Sequence, residues 1–475
     1  MFNKIKPYIV IAAVTITGCT TIKQAELPEG VQLPSSFGST ADTAGGRLVL
    51  KDFFTDLNLQ RLIDTALATN FDLQVAVQRI EVARLNTRIA NAARLPQVNA
   101  VAGLSLDKYG RYTLNGVGNF DTNLSPNIDE KRQIPDPTPE YFLGFRSSWE
   151  ADIWGRLKDR SRAAYTRYLA SQKGRQWVAT QLVAEVASNY YELMALDHQL
   201  KIIKTNIALQ QRGLEIVEAQ MAGGRATALA VRQFKAQVLN TQATELDIRQ
   251  AIVRTENNLN YLLGRLPSKI VRDTSIIAKQ VPARIQAGIP ADILLRRPDV
   301  QQAELELIAA RADISAARKA MLPSLSINPY IGLNAFKAPL LLSGASVAAG
   351  VASSLAAPII NRRAIIAGVH IANAEQATAF YNYQRNIVQG YQEVVTHLQA
   401  VDNLKQAYDL KVEEVETLTE GVANANDLYL AGYANYLEVI VAQASVLRAQ
   451  IEQTNMKKEI FQSIINLYRS VGGGA

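Results

Sequence analysis

The sequence predicts a mainly α fold with a small membrane β part, built from one unit used twice. Three observations carry this. A helix-to-strand stretch occurs in two copies, each copy leads into a pair of segments with a period of two, and each pair feeds a long heptad helix that turns back at a glycine. The copies are clearest when their leucine-proline pairs, Leu95-Pro96 and Leu322-Pro323, are aligned. Gln74 then matches Gln301, Ala76 matches Ala303, Ala83 matches Ala310 and Arg84 matches Arg311. Proline ends the helical hydrogen-bond pattern, so Pro96 and Pro323 mark helix-to-strand junctions.

The chain opens on a targeting segment. Lys4 and Lys6 form a positive n-region, and the apolar run from Tyr8 to Ile16 is far shorter than the roughly 20 residues of a spanning helix, so residues 1–18 read as a signal peptide. Ile16-Thr17-Gly18-Cys19 resembles the lipobox of bacterial lipoproteins. That resemblance implies a diacylglycerol on the Cys19 thiol, cleavage before it and an acyl chain on the new amino terminus; Thr20 behind it points to the outer membrane. Cys19 is the only cysteine, which excludes disulfides within the chain. Residues from Thr20 to Gly46, rich in Ser, Thr, Gly and Pro, read as an extended tether or a segment wrapped on the folded body, and Phe53 to Thr69 as a short helix.

Beyond Pro96 the period changes to two. Val98, Ala100, Ala102, Leu104 and Leu106 are apolar, with Asn99, Ser105 and Asp107 between them. The second strand sets Tyr141, Leu143, Phe145, Trp149, Ala151 and Ile153 against Gly144, Arg146, Ser148, Glu150 and Asp152. One apolar and one polar face suit a membrane barrel. The stretch from Lys108 to Glu140 reads as a long surface loop. After Pro323, Leu325, Ile327, Ile331 and Leu333 alternate with Ser326, Asn328, Tyr330 and Asn334, and Val347, Ala349, Val351, Leu355 and Ile359 make a fourth strand. Single-chain membrane barrels begin at about eight strands, and an open edge in lipid leaves backbone groups unpaired, so several chains must share one barrel if these strands span. A soluble sheet packed on helices is the other reading of the alternation.

Each strand pair leads into a long helix. From Arg156 to about Met221 there is no proline, and Ala179, Val186, Leu193, Leu200, Ile207, Leu214 and Met221 recur every seven residues. Leu182, Leu196, Ile203 and Val217 fill companion positions; Asn189 and Gln210 interrupt them. Such a helix is about 100 Å long. It stops at Gly223-Gly224, and a return helix follows to about Gly264. This hairpin has a twin: Gly224 matches Gly432, Ala226 matches Ala434, Leu229 matches Leu437 and Val231 matches Val439. The expected organisation is a first repeat over 70–264, a linker over 265–296, a second repeat over 297–470 and a tail over 471–475.

With Leu295-Arg296-Arg297-Pro298-Asp299-Val300, Ala320-Met321-Leu322-Pro323-Ser324 and Trp154-Gly155-Arg156, these features resemble the TolC-type outer-membrane factors, in their lipoprotein efflux branch. The resemblance implies a homotrimer whose twelve strands form one outer-membrane barrel, whose helices continue as a periplasmic coiled-coil tunnel, and whose amino-terminal segment (19–69), linker and carboxyl end form an equatorial belt. It implies passive conduction of small molecules, with an RND-type inner-membrane pump and a periplasmic adaptor as partners. The turns at Gly223, Gly224, Gly432 and Tyr433 would be the periplasmic tips that meet the adaptor. The family carries two acids, three apart, after the second glycine; here Glu438 keeps the first and Val441 replaces the second. Glu438, with Asp427 across the turn as a second candidate, would form the acidic ring of a closed gate. An exit duct for type I protein secretion would share the fold; a coiled-coil adaptor lipoprotein would need lipoyl-like β segments instead.

Other classes find little support. The net charge of +7 comes from scattered Lys and Arg, with 7% aromatics and no basic block, which argues against nucleic acid. His198, His370 and His397 lack metal-ligand spacing and read as exposed helix histidines, and no phosphate-binding glycine loop precedes a lysine. No cofactor beyond the lipid is expected, and no carboxylate pair marks a hydrolase.

Overall fold

A computed structural model describes residues 27–34, 37, 54, 56–273, 275–279, 291–358, 360 and 362–473. Cys19, the signal peptide, Ile359 and residues 274 and 280–290 of the linker lie outside them. The described helices and strands run α1 (Leu57–Thr69), α2 (Phe71–Ala92), β1 (Gln97–Asp107), α3 (Leu114–Leu124), β2 (Thr138–Ala151), α4 (Arg156–Ala222), α5 (Ala228–Leu262), α6 (Pro298–Lys319), β3 (Ser324–Ala335), β4 (Val347–Ala356), α7 (Arg362–Leu430) and α8 (Tyr436–Ser470). The repeat is written in the lengths: α2 and α6 have 22 residues each, α4 and α7 have 67 and 69, and α5 and α8 have 35 each.

Two compact units are formed, each drawing on both halves of the sequence. One holds 83–168 and 306–379, including the sheet; the other holds the described parts of 28–82, 169–305 and 380–475. In the first, the strands are antiparallel in the order β1-β2-β3-β4, so β1 and β4 are edges. Both helix-to-strand junctions are built alike. The amide of Leu95 donates to Ala92 O and that of Leu322 to Lys319 O, tightening the last turn, and the strand starts directly after Pro96 or Pro323. At the β2 end, Gly155 adopts φ +75°, and Asp152 accepts from the amides of Leu157 and Lys158 at 3.0 and 2.7 Å, capping α4.

In the second unit the heptad seam of α4 is the core. Val186, Leu193 and Ile203 are fully buried, and Leu182, Val186 and Leu193 cluster with Phe54, Leu59, Ile63, Leu259, Leu262, Phe461 and Tyr468. Non-helical segments are tied to this layer. Arg272 pairs with Asp197 and Glu256, Lys279 pairs with Asp56 and Asp273, and Phe37 stacks on Tyr391. Asn70, the residue between α1 and α2, donates to Leu262 O and accepts from the amide of Leu73, joining three helices.

Three expectations need correction. The stretch from Lys108 to Glu140 is not all loop: Thr113 Oγ1 accepts from the Gly116 amide and starts α3. β2 ends at Ala151, so Ile153 belongs to the turn before α4. The first described helix starts at Leu57, where Asp56 accepts from the amides of Asn58 and Leu59; Phe53, expected as its start, lies outside the described residues. His370 is exposed as expected, but His198 and His397 are half-buried. Burial lowers both imidazole pKa values, with Lys201 adding to it at His198 and Arg469 at His397. No described helix is long and apolar enough to cross a membrane.

Candidate functional site

The sheet register carries the apolar face across all four strands. Ala100 pairs with Phe145, Phe145 with Ile331 and Ile331 with Ala349; the next row is Ala102, Leu143, Leu333 and Val347. Directly paired antiparallel residues share a face. No described segment covers this one: Leu104, Phe145, Ile331 and Val351 are 64, 55, 57 and 72% exposed. The other face carries Asn99, Gly144, Arg146, Ser148, Tyr330, Asn334, Gly350 and Ser354. Phe142 is the largest apolar side chain there; it is buried edge-on against Tyr330 and under the Arg146 guanidinium. One oily and one wet face, each an entire strand set wide, fit a wall between lipid and water.

The two hairpin turns have the same backbone solution. Gly224 sits at φ +73°, with its amide on Met221 O and the Arg225 amide on Gln220 O; Gly432 sits at φ +82°, with its amide on Tyr429 O and the Tyr433 amide on Leu428 O. These are the paired bonds of a Schellman stop. Gly223 is not in the left-handed region, so Gly224 alone makes the first turn. Tyr433 is 85% exposed at the tip of the second.

After each turn a side chain caps the return helix, Thr227 for α5 and Asn435 for α8. Only the second cap is reciprocal. Asn435 Oδ1 accepts from the amides of Leu437 and Glu438, while Glu438 Oε1 accepts from Asn435 Nδ2 at 2.9 Å and, more weakly, from its backbone amide at 3.4 Å. Glu438 is therefore an exposed acid held by its own turn. Asp427, on the opposite arm, is exposed too, with no side-chain bond to Glu438. Val441, where the family pattern has its second acid, is 55% exposed.

The structure adds one tie that the sequence had not singled out, and it gives a role to Arg297 of the Arg296-Arg297-Pro298-Asp299 motif. Tyr429 donates its hydroxyl to Gln220 Oε1, linking α7 to α4 beside a cluster of Val217, Ala230, Phe234 and Val439 that packs the two hairpins together. Arg297, 1% exposed, makes a two-pronged pair with Asp299, reaches Glu393 and Ser470 O, and lies over Trp177. Burial works against its charge, and the ion pairs with Asp299 and Glu393 more than offset that. The Arg297-Pro298-Asp299 motif thus fastens the start of α6 to α7 and to the end of α8. Among the described residues no His, Cys, Asp and Glu group could hold a metal ion.

A family model described as outer membrane efflux protein matches residues 62–265 and 289–473, most of the chain. The chain belongs to the outer membrane efflux protein family. The family member described here is 28% identical over 480 residues to the solvent efflux pump outer membrane protein SrpC of Pseudomonas putida, covering 99% of this chain and 98% of SrpC. It is 30% identical over 429 residues to the pyoverdine export outer membrane protein OpmQ of the same species, covering 89% of this chain and 87% of OpmQ. Among solved structures, CusC aligns at TM-score 0.79 and 27% identity, over 96% of this chain and all of that one. The fold is TolC-like, and the protein is an outer-membrane exit duct of an efflux system, not an enzyme and not an adaptor.

Proposed function

We propose that three copies of this chain close one twelve-stranded barrel and a periplasmic tunnel, and that the duct passively releases small toxic molecules delivered by an RND-type pump through a periplasmic adaptor. The observation behind this is the apolar row that crosses a four-stranded sheet with two open edges. Edges in lipid must be paired, and further copies of the same sheet pair them with no new sequence. Small-molecule cargo is favoured over secreted protein because relatives are named for solvents and for pyoverdine. Those cargoes are chemically unlike, which fits a pump that selects and a duct that does not.

In this reading Glu438, with Asp427 across the turn, rings the closed periplasmic mouth, and Gly223, Gly224, Gly432 and Tyr433 form the tips that meet the adaptor. The signal peptide over 1–18 is removed and a lipid on Cys19 adds an anchor to the outer membrane. Deletion of the gene, with and without deletion of the partner pump's gene, tests the cargo. The expected result is sensitisation to a panel of solvents and drugs that the pump deletion reproduces and does not deepen. Unchanged sensitivity, together with lost export of a secreted protein, would replace small-molecule efflux by protein secretion.

A further inference from the structure

A cleft of about 760 Å³ opens where the strands meet the helices of the sheet-containing unit, lined by Arg94, Lys158 and Arg162 with Trp154, Tyr165 and Lys319 among others. Its acids are already engaged. Asp152 caps α4 with both oxygens, and Asp159 holds Lys319 at 2.6 Å. Arg94, Lys158 and Arg162 are exposed and, among the described residues, form no ion pair, although Arg162 lies near enough to Asp159 to help lower its pKa. The cleft thus holds four cations, Lys319 included, against the two carboxylates of Asp152 and Asp159, a net of two positive charges.

Tryptophan ties the edge of the cleft to the strand ends. Trp149, on the apolar face of β2, donates its indole N–H to Arg94 O at 3.0 Å, and Trp154 donates to Pro323 O at 2.7 Å. Trp154 thus lines the cleft, and Trp149 holds the backbone of Arg94 at its edge, at the level where the strands end. Tryptophan belts mark the height of lipid headgroups, and cations there meet phosphates.

On the barrel reading above, we propose that this cleft binds the phosphodiester headgroup of an anionic phospholipid in the periplasmic leaflet. Arg94, Lys158 and Arg162 hold the phosphate, while Trp149 and Trp154 sit along the first part of the acyl chains. The pairing screens the crowded cations at the junction and fixes the depth at which the sheet rides in the bilayer.

The test uses the purified full-length protein, loaded with phosphatidylglycerol or phosphatidylcholine in detergent micelles, with retained lipid counted by native mass spectrometry. A variant combining Arg94→Gln, Lys158→Gln and Arg162→Gln is compared with a control combining Lys201→Gln, Lys204→Gln and Arg212→Gln, three exposed cations farther along α4. We expect phosphatidylglycerol to be retained on the order of tenfold less by the cleft variant, the control to match wild type, and salt to weaken retention. Equal retention by wild type and the cleft variant, or equal retention of phosphatidylcholine, would overturn the site. Displacement of the lipid by millimolar inorganic phosphate would make it a free-anion site instead. Heat-modifiable trimers in outer-membrane fractions are scored in parallel: their absence from wild type overturns the barrel reading, whereas their presence with no lipid preference overturns only the headgroup site.

Discussion

Glu438 performs two tasks that one substitution separates. Its carboxylate accepts from Asn435 in the capping box, and in the proposed trimer it supplies one third of an acidic ring. A glutamine keeps an acceptor in the box and removes the charge. Glu438→Gln should therefore leave the start of α8 folded, judged by amide exchange over 435–442, and should weaken cation block of the channel in planar bilayers several-fold. Glu438→Ala should weaken the block and also speed exchange. Wild-type block in the glutamine variant would reduce Glu438 to a cap. The half-buried histidines make a second prediction at this scale. His198 and His397 have pKa values lowered in the fold from the ordinary 6.5, mainly by burial, and His198 Nδ1 is buried without a hydrogen-bond partner among the described residues. A base whose folded pKa is lowered gives stability that is complete above its unfolded pKa and is lost as pH falls through the folded one. The melting temperature should thus drop as pH falls from 6.5 toward 5, and the double variant His198→Gln, His397→Gln should drop less. An identical slope would remove the histidines as the cause.

Helix ends show which element features can be read from residues alone. Gly224 and Gly432 need a left-handed backbone that costs a residue with a Cβ about 1–2 kcal/mol, although nothing lies near enough to either to obstruct a methyl group. Gly223 has no such need, and a Cβ there would meet only Ala219 O and Gln220 O at ordinary contact, 3.6 Å. Gly224→Ala and Gly432→Ala should each destabilise the hairpin by about 1 kcal/mol, and Gly223→Ala should be neutral or slightly stabilising. Exchange of amides across each turn reads this directly, and an equal loss at Gly223 would contradict the assigned turn. The hairpins were legible because glycine is the residue that the geometry demands. The junctions were legible because Pro96 and Pro323 each end a helical period and begin one of two. α3 was not, since Leu114–Leu124 contains two glycines, three asparagines and an aspartate, and reads as loop until Thr113 is seen to cap it. The tie from Tyr429 to Gln220 joins residues 209 positions apart and leaves no local pattern. The reciprocal cap was present in the sequence as Asn435-x-x-Glu438, but Glu438 was read through its charge alone.

For the whole molecule the decisive property is which face of the sheet meets lipid. Alternation in single strands left a soluble sheet open as a reading; pairing removes much of that freedom, because the strands put their apolar sets on one side in register and no described segment covers it. On the barrel reading, the cover for that side in an outer-membrane protein is acyl chain. Phe145 stands in mid-strand on this face, between Ala100 and Ile331, whereas Ser148 stands on the other face beside Gln97. An arginine on the lipid face near the bilayer midplane costs about 2–4 kcal/mol, and one facing the lumen costs little because water reaches it. In a trimer the penalty is incurred three times, once per sheet. Phe145→Arg should therefore sharply reduce heat-modifiable trimers in outer-membrane fractions, while Ser148→Arg should assemble at near wild-type levels and shift ion selectivity toward anions. The reverse pattern would mean that Phe145 faces the lumen, and equal assembly of both variants would mean that the sheet is not in lipid.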